Sequence, residues 1–252
     1  TVLGFLAVFK YTDFLLYTLE KLVSRPLPRL SWVLPVGISF FTFQAAGYLV
    51  DVYQGKYKAE TNFVNFALFV SFFPQLLSGP IGRGGELLPQ YREPKKPGFQ
   101  DLRKGLCTMT WGYFLKLVIA DRAAMLVDSV YGAYASLPGI CLVFATVVYA
   151  LQIYCDFAGY SAMAIGAGQM LGIRLPVNFR TPYFAQSVQE FWRRWHISLS
   201  TWFRDYVYFP LGGSRCDRWK NYRNILIVFL LSGLWHGASW SFALWGLLHG
   251  AY

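Results

Sequence analysis

Long apolar segments are the feature that most constrains how this chain can fold. All but the last run for roughly 15–22 residues, the helix length that a hydrocarbon core of about 30 Å requires. The segments cover 1–19, 31–52, 62–78, 105–120, 138–157 and 224–252. Hydrophobic residues make up 55% of the chain and charged residues only 14%, which is too little polar surface to cover a soluble domain. The sequence predicts an all-α, polytopic helical membrane protein.

Two regions depart from simple spans. Segment 158–172, GYSAMAIGAGQMLGI, is rich in small residues, which suits a tightly packed or re-entrant helix. Segment 224–252 has a glycine-containing centre, so it is either broken or longer than one crossing. Because the chain starts at Thr1 and stops at Tyr252 inside apolar sequence, we expect 1–252 to be one integral membrane domain of a longer protein.

The basic residues orient the predicted spans. Clusters of lysine and arginine follow the first span, follow the third span and precede the last one, and the positive-inside rule places all three in the cytoplasm. The net charge of +10 therefore reflects membrane topology. A nucleic-acid partner is disfavoured, because these residues lie in loops between spans rather than on one soluble face.

Segment 188–211 has the pattern of a helix lying in the membrane interface. On a helix, aromatic and apolar residues recur every three or four positions along one face. This face consists of Trp192, Trp195, Leu199, Trp202, Phe203 and Tyr206. Much of the remainder carries Arg193, Arg194 and Arg204, as expected of a helix in contact with lipid head groups.

The chain contains 3 histidines, of which His196 and His236 lie in different predicted helices. Either could be a hydrogen-bonded structural residue. Brought together, they could instead form a general acid–base pair or two ligands of a metal ion. The metal alternative is weaker, since zinc needs further ligands and the 4 cysteines are scattered without a CxxC pair. We expect no metal, and we expect His249 to be structural or at the edge of a pocket.

Several phrases carry a resemblance to a known family. They are LPVGISFFTFQ (34–44), YCDFAGYSAMAIG (154–166), LGIRLPVNFRTPY (171–183), EFWRRWHISLSTWFRDYVYFPLGGSR (190–215) and LSGLWHGASW (231–240). Together they resemble the membrane-bound O-acyltransferase (MBOAT) family, and within it the bacterial branch that O-acetylates alginate and cell-wall polysaccharides. The resemblance covers nearly the whole chain.

The resemblance implies a multi-pass acyltransferase of the bacterial inner (cytoplasmic) membrane. It would move acetyl from a cytoplasmic thioester such as acetyl-CoA, with no bound cofactor, towards hydroxyls of an extracytoplasmic polysaccharide. Delivery would be direct or through a periplasmic or surface acetyltransferase partner. The family's histidines correspond to His236, expected to be a buried general base, and to His196. An imidazole in an apolar surround stays neutral near pH 7 and can accept the proton of an attacking hydroxyl.

Further residues are candidates for binding the donor or lining its pocket. The arginines Arg193, Arg194 and Arg204 could attract the phosphates of the donor or anchor the helix to the membrane surface. The family segments also contain candidate pocket-lining residues, for which packing or helix-end hydrogen bonding is the alternative role: Asp156, Tyr160, Asn178 and Asp205. One position departs from the family pattern, because Ala162 stands where the family usually has aspartate, and this leaves the acceptor's identity open.

Two other classes of function remain. A transporter could use intramembrane histidines in a proton or solute path, and a non-catalytic subunit could scaffold a polysaccharide synthesis or export complex. An enzyme requires both histidine motifs, whereas a scaffold requires neither.

Overall fold

The computed structural model describes residues 2–30 and 32–252, and in that part of the chain every regular element is helical. The all-α prediction is thus confirmed. Two helices, Val2–Val23 and Gly139–Met170, are long and apolar enough to cross a membrane by length and composition. The number of crossings stays a prediction, because the other apolar segments fold into shorter or interrupted helices.

The chain folds into two compact units. The first unit comprises the described residues of Thr1–Thr61 together with Thr181–Tyr252, and the second comprises Asn62–Arg180. The first unit contains α1 (Val2–Val23), α2 (Ile38–Tyr53), a 3₁₀ turn (Pro182–Phe184), α9 (Val188–Arg194), α10 (Ile197–Phe203), a π-helix (Arg204–Tyr208), α11 (Arg218–His236) and α12 (Trp240–Ala251). The second contains α3 (Phe63–Ser71), α4 (Phe73–Leu76), α5 (Gly84–Arg92), α6 (Phe99–Tyr113), a π-helix (Phe114–Ala120), α7 (Asp121–Gly132) and α8 (Gly139–Met170).

Close packing of α6 against α8 organises the second unit. A Cβ atom on Gly112 would lie 2.6 Å from the carbonyl oxygen of Gly159, and one on Gly166 would lie 2.5 Å from that of Gly105. The two helix backbones therefore touch at glycines spaced by two turns, as in small-residue helix packing in membranes. Segment 158–172 is tightly packed, and through Met170 it continues α8 rather than forming a separate re-entrant helix.

A similar close approach joins α11 to α12 in the first unit. A Cβ atom on Gly233 would lie 2.2 Å from the carbonyl oxygen of Phe242, and one on Gly246 would lie 2.4 Å from that of Phe229. Between the helices the chain turns at Gly237, and the Ser239 hydroxyl accepts from the Phe242 N–H at the start of α12. The last apolar segment is therefore broken, one of the two predicted alternatives.

The glycine contact between α6 and α8 gives a test of packing. We expect Gly159→Leu to destabilise the protein by about 1–3 kcal/mol or more, because the backbone of α6 cannot move aside without separating the helices. Thermal unfolding of the purified protein in detergent measures the effect. The control is Gly139→Ala in the same helix, where an added Cβ meets nothing within 4 Å. Equal melting temperatures for the two variants would contradict the packing argument.

Candidate active site

A narrow, mostly apolar cavity lies within the first unit and contains both motif histidines. We call it the histidine cavity, and its volume is about 190 Å³. It is lined by Trp192, Trp195, His196, Leu199, Ser200, Phe203, Arg204, Tyr208, Ile225, Val228, Phe229, Ser232 and His236. The sequence placed these histidines on different helices, and the fold brings them to one cavity.

Most of the cavity wall is formed by α10 with its following π-helix on one side and by α11, which runs antiparallel to them, on the other. At one end, the Tyr208 hydroxyl donates to Asn221 Oδ1 near the start of α11, at 2.7 Å. At the other end, the rings of His196 and Trp235 lie 6.1 Å apart near the end of α11. From Ile225 to His236, α11 rises about 16 Å at about 1.5 Å per residue. The cavity is therefore elongated, with histidines at one end and Arg204 and Tyr208 at the other.

A break in the predicted interfacial helix places His196 in the cavity. The pattern of 188–211 predicts a continuous helix, but α9 ends at Arg194 and α10 begins at Ile197. Between them His196 has φ 41° and ψ 54°, in the left-handed region. An L-residue there is strained by about 1–2 kcal/mol. Such strain is concentrated at functional sites.

The predicted aromatic face is divided between two surfaces. Trp192 and Trp195 line the cavity with Leu199 and Phe203, whereas Trp202 and Tyr206 contact α2. The Trp202 ring stacks on Phe43 with centroids 3.9 Å apart, and its Nε1–H donates to the Phe43 carbonyl at 2.9 Å.

The two histidines differ in exposure, and one prediction is corrected. His196 is buried, with 2% of its surface accessible. His236 was expected to be buried, but among the described residues it is exposed at the end of α11, where the chain turns away at Gly237. Aromatic rings still surround the imidazole, with Trp235 and Trp245 centroids at 4.9 and 5.3 Å. His236 is thus accessible from a space with apolar walls.

Lys10 and Tyr11 of α1 hold the end of α11, a role that the sequence motifs did not predict for either residue. The Tyr11 hydroxyl donates to the Leu234 carbonyl at 2.8 Å, and Lys10 Nζ donates to the Trp235 carbonyl. Lys10 Nζ also donates to Ser39 Oγ at 3.1 Å. A signal was available, because Lys10 stands alone in the apolar stretch TVLGFLAVFKY, and an ionisable residue inside a span indicates a functional role.

The π-helix Arg204–Tyr208 is fixed to α2 on the side away from the cavity. The Tyr206 hydroxyl donates to Asp51 Oδ2 at 2.6 Å, and Lys56 pairs with the other oxygen of this carboxylate at 2.7 Å. Asp51 is 6% exposed, so this interaction is well shielded. It anchors the segment that presents Arg204 and Tyr208 to the cavity.

A second cavity of about 610 Å³, which we call the arginine cavity, adjoins the first. Residues shared by the two walls are Trp192, Ser200, Arg204, Tyr208, Ile225 and Phe229. Arg193 and His249 line the arginine cavity but not the histidine cavity. It offers positive charge directly outside the arginine end of the histidine cavity.

The three predicted donor arginines have different surroundings. Arg204 lines both cavities and pairs with Asp205 at 2.9 Å. Arg194 instead pairs with Glu190 at 2.5 Å and reaches the Thr181 carbonyl at 3.4 Å. The backbone N–H of Gln186, and then Arg194, hold the pKa of Glu190 below its usual range. Arg194 is therefore engaged in holding α9.

Of the four predicted pocket-lining residues, Asp205 lies in the first unit and pairs with Arg204, whereas Asp156, Tyr160 and Asn178 lie in the second unit. Asp156 accepts from Lys116 Nζ at 2.5 Å, and the same ammonium lies 5.5 Å from the ring centroid of Tyr160. Asn178 is fully buried and donates to Ser161 Oγ at 3.0 Å. These contacts are structural, and participation of the three residues in the reaction stays a prediction.

Metal-ligand side chains are dispersed in the part of the chain that the structure describes. Among residues 2–30 and 32–252, no three histidine, cysteine, aspartate or glutamate side chains are grouped to hold a metal ion.

The fold and the cavity define a helical protein of membrane composition whose two motif histidines, His196 and His236, converge on one narrow space. The family model of the membrane-bound O-acyltransferases matches residues 58–252. The chain belongs to this family, as the sequence motifs indicated.

Curated relatives agree with the family assignment. The chain is 41% identical to the peptidoglycan O-acetyltransferase of Helicobacter pylori, over 99% of this chain and 52% of the relative. It is 42% identical to the probable alginate O-acetylase AlgI of Azotobacter vinelandii, over 100% of this chain and 50% of the relative. A teichoic acid D-alanyltransferase of Streptococcus thermophilus is 32% identical, over 85% and 55%. The chain thus spans about half the length of the curated relatives it matches.

The left-handed backbone at His196 gives a test of the helix break. Both His196→Asn and His196→Val remove the imidazole, but asparagine tolerates this conformation and a β-branched residue does not. We expect the valine variant to be less stable than the asparagine variant by about 1–2 kcal/mol. Thermal unfolding in detergent measures the difference. A continuous helix at this position would instead favour valine or make the two variants equal.

Proposed function

We propose that the protein containing this chain is a membrane O-acetyltransferase with His236 as its general base. The donor would be a cytoplasmic thioester such as acetyl-CoA, and the acetyl group would move towards hydroxyls of an extracytoplasmic polysaccharide of the alginate or peptidoglycan type. The observation that carries the proposal is the convergence of His196 and His236, from separate helices, on one end of a narrow cavity.

The proposed reaction uses the imidazole as a proton acceptor. The acceptor hydroxyl oxygen attacks the thioester carbonyl carbon while His236 takes the hydroxyl proton. The resulting oxyanion then collapses, the carbon–sulfur bond breaks, and the departing thiolate receives the proton from His236. The products are an acetyl ester and a free thiol, and the imidazole returns to its neutral form.

The accessibility of His236 favours it over His196 as the base. A base must come within hydrogen-bond distance of the reacting hydroxyl, and His236 is exposed where His196 is buried. His196 is better suited to orient a substrate or to donate to the developing oxyanion, since its strained backbone fixes the direction of its ring. Ser232 lies one turn before His236 and adds a polar group to the same wall.

The shape and charge of the two cavities suit a thioester on a long arm. Arg193 and Arg204 line the arginine cavity and would attract the phosphates of the donor. The arm would extend along the histidine cavity, whose lining residues span about 16 Å of α11, and bring the thioester to the histidines. Arg194 would have no direct part, because Glu190 already engages it.

The names of the relatives support a short acyl group and a polymer acceptor. One relative is named a peptidoglycan O-acetyltransferase and another a probable alginate O-acetylase. Transfer could be direct or pass through a periplasmic or surface acetyltransferase partner, and membrane lipids would surround the apolar faces. We place the whole protein in the bacterial inner membrane as a multi-pass protein.

Loss of the base tests the mechanism. We expect His236→Gln to lower the rate of acetyl transfer by about 10²–10⁴-fold, because glutamine cannot accept the hydroxyl proton. The measurement uses full-length protein in membranes with radiolabelled acetyl-CoA on the cytoplasmic side, following labelled acceptor and released thiol. Lys220→Gln, at an exposed position of the same helix, is the control. Turnover that survives in a folded His236→Gln protein would reject His236 as the general base.

The arginines allow a test of the donor path. We expect Arg204→Gln to raise the KM for the donor about 3- to 10-fold, a modest effect because the exposed guanidinium is screened by solvent. Arg194→Gln should leave this KM within about twofold and lower thermal stability instead, because it removes a contact that holds α9. Steady-state kinetics with varied acetyl-CoA distinguish the two variants. A larger rise in KM for Arg194→Gln than for Arg204→Gln would contradict the proposal that Arg204, and not Arg194, contacts the donor.

A further inference from the structure

Lys10 of α1 places a charged ammonium at the end of α11, and the proposed chemistry gives this group no role. Lys10 lies within α1, one of the two helices long and apolar enough to cross a membrane. An ammonium in such a helix loses much of its hydration, so it is retained only where specific contacts compensate. Its ammonium donates to two neutral acceptors, the Trp235 carbonyl and the Ser39 hydroxyl.

The Trp235 carbonyl is one of the groups that a helix end leaves without an intrahelical donor. In α11 the last carbonyls belong to Gly233, Leu234, Trp235 and His236. The Gly237 N–H donates to Gly233, the Tyr11 hydroxyl to Leu234 and the Lys10 ammonium to Trp235. The positive charge is also favourable here, since the C-terminal end of a helix carries partial negative charge.

Trp235 connects this contact to both histidines. The residue is 6% exposed, and its ring centroid lies 6.1 Å from that of His196 and 4.9 Å from that of His236. The Lys10 ammonium is 5.6 Å from the centroid of this ring. A contact that fixes the backbone and ring of Trp235 therefore fixes the peptide unit from which His236 extends.

We propose that Lys10 is a positioning residue for His236: its ammonium holds the Trp235 carbonyl and thereby orients the His236 imidazole towards the histidine cavity. The proposal rests on the proposed function for its effect on catalysis. Its effect on the geometry of His236 can be measured independently. Tyr11 holds the preceding carbonyl with a neutral hydroxyl and serves as the matched comparison.

The test compares Lys10→Met, Lys10→Arg and Tyr11→Phe in the full-length protein in membranes. Methionine keeps the length of the side chain and removes the donor and the charge, whereas arginine keeps both. We expect Lys10→Met to lower kcat about 10- to 100-fold, with the KM for acetyl-CoA nearly unchanged, because small displacements of a catalytic group have effects of this size. Lys10→Arg should recover most of the lost kcat, and Tyr11→Phe should have a smaller effect than Lys10→Met.

A second readout does not require turnover. Diethyl pyrocarbonate modifies accessible neutral imidazoles, and peptide mass spectrometry gives the modification rate of His236 relative to His249 in the same molecule. We expect this ratio to change severalfold in Lys10→Met and to stay near the wild-type value in Tyr11→Phe. If Lys10→Met does not fold, Lys10→Gln, which keeps an N–H donor without the charge, replaces it with a smaller expected change.

The outcomes separate this inference from the proposed function. An unchanged kcat together with an unchanged modification ratio in folded Lys10→Met would overturn the positioning role. A raised KM with unchanged kcat would also overturn it, by assigning Lys10 to donor binding. If His236→Gln retains activity, the general-base proposal fails, yet the modification ratio still shows whether Lys10 orients His236.

Discussion

In a chain of this composition, every backbone group that lies away from water must be paired within the protein, and the rest of the structure depends on how this is achieved where helices end. The end of α11 is the most consequential case. There Lys10 and Tyr11 donate to the carbonyls of Trp235 and Leu234. The same contacts join α1 to the segment that carries His236. The hydrogen bonds that pair the last carbonyls of α11 therefore also position the imidazole.

The candidate site arises from an irregular backbone next to regular helices. If segment 188–211 were one helix, its aromatic residues would form a single face against one surface. Instead the left-handed residue His196 separates α9 from α10, and within α10 Trp202 stacks on Phe43 of α2 while Phe203 lines the cavity. The aromatic residues thus divide between holding the helix and forming the cavity wall.

Charged residues in the two units show why residue type alone is a weak guide to function. Asp156 lies in a family motif, and the structure pairs it with Lys116, which also pairs with Asp121 at 2.7 Å. Arg194 likewise pairs with Glu190. Arg204, with the same side chain as Arg194, lines both cavities. The difference is set by which neighbours the fold supplies, and the sequence does not contain this information locally.

The sequence by itself determined the helical class, the membrane composition, the family and the two histidines, because these follow from residue content, periodicity and motifs read along the chain. It also gave a break in segment 224–252 as one of two alternatives. Only the tertiary structure decided that the helix predicted for 188–211 breaks at His196, that His236 is accessible and that Lys10 holds the end of α11. A backbone conformation such as that of His196 is stabilised by distant packing, and the contact of Lys10 with Trp235 joins residues far apart in sequence. Neither feature can be predicted from local sequence patterns.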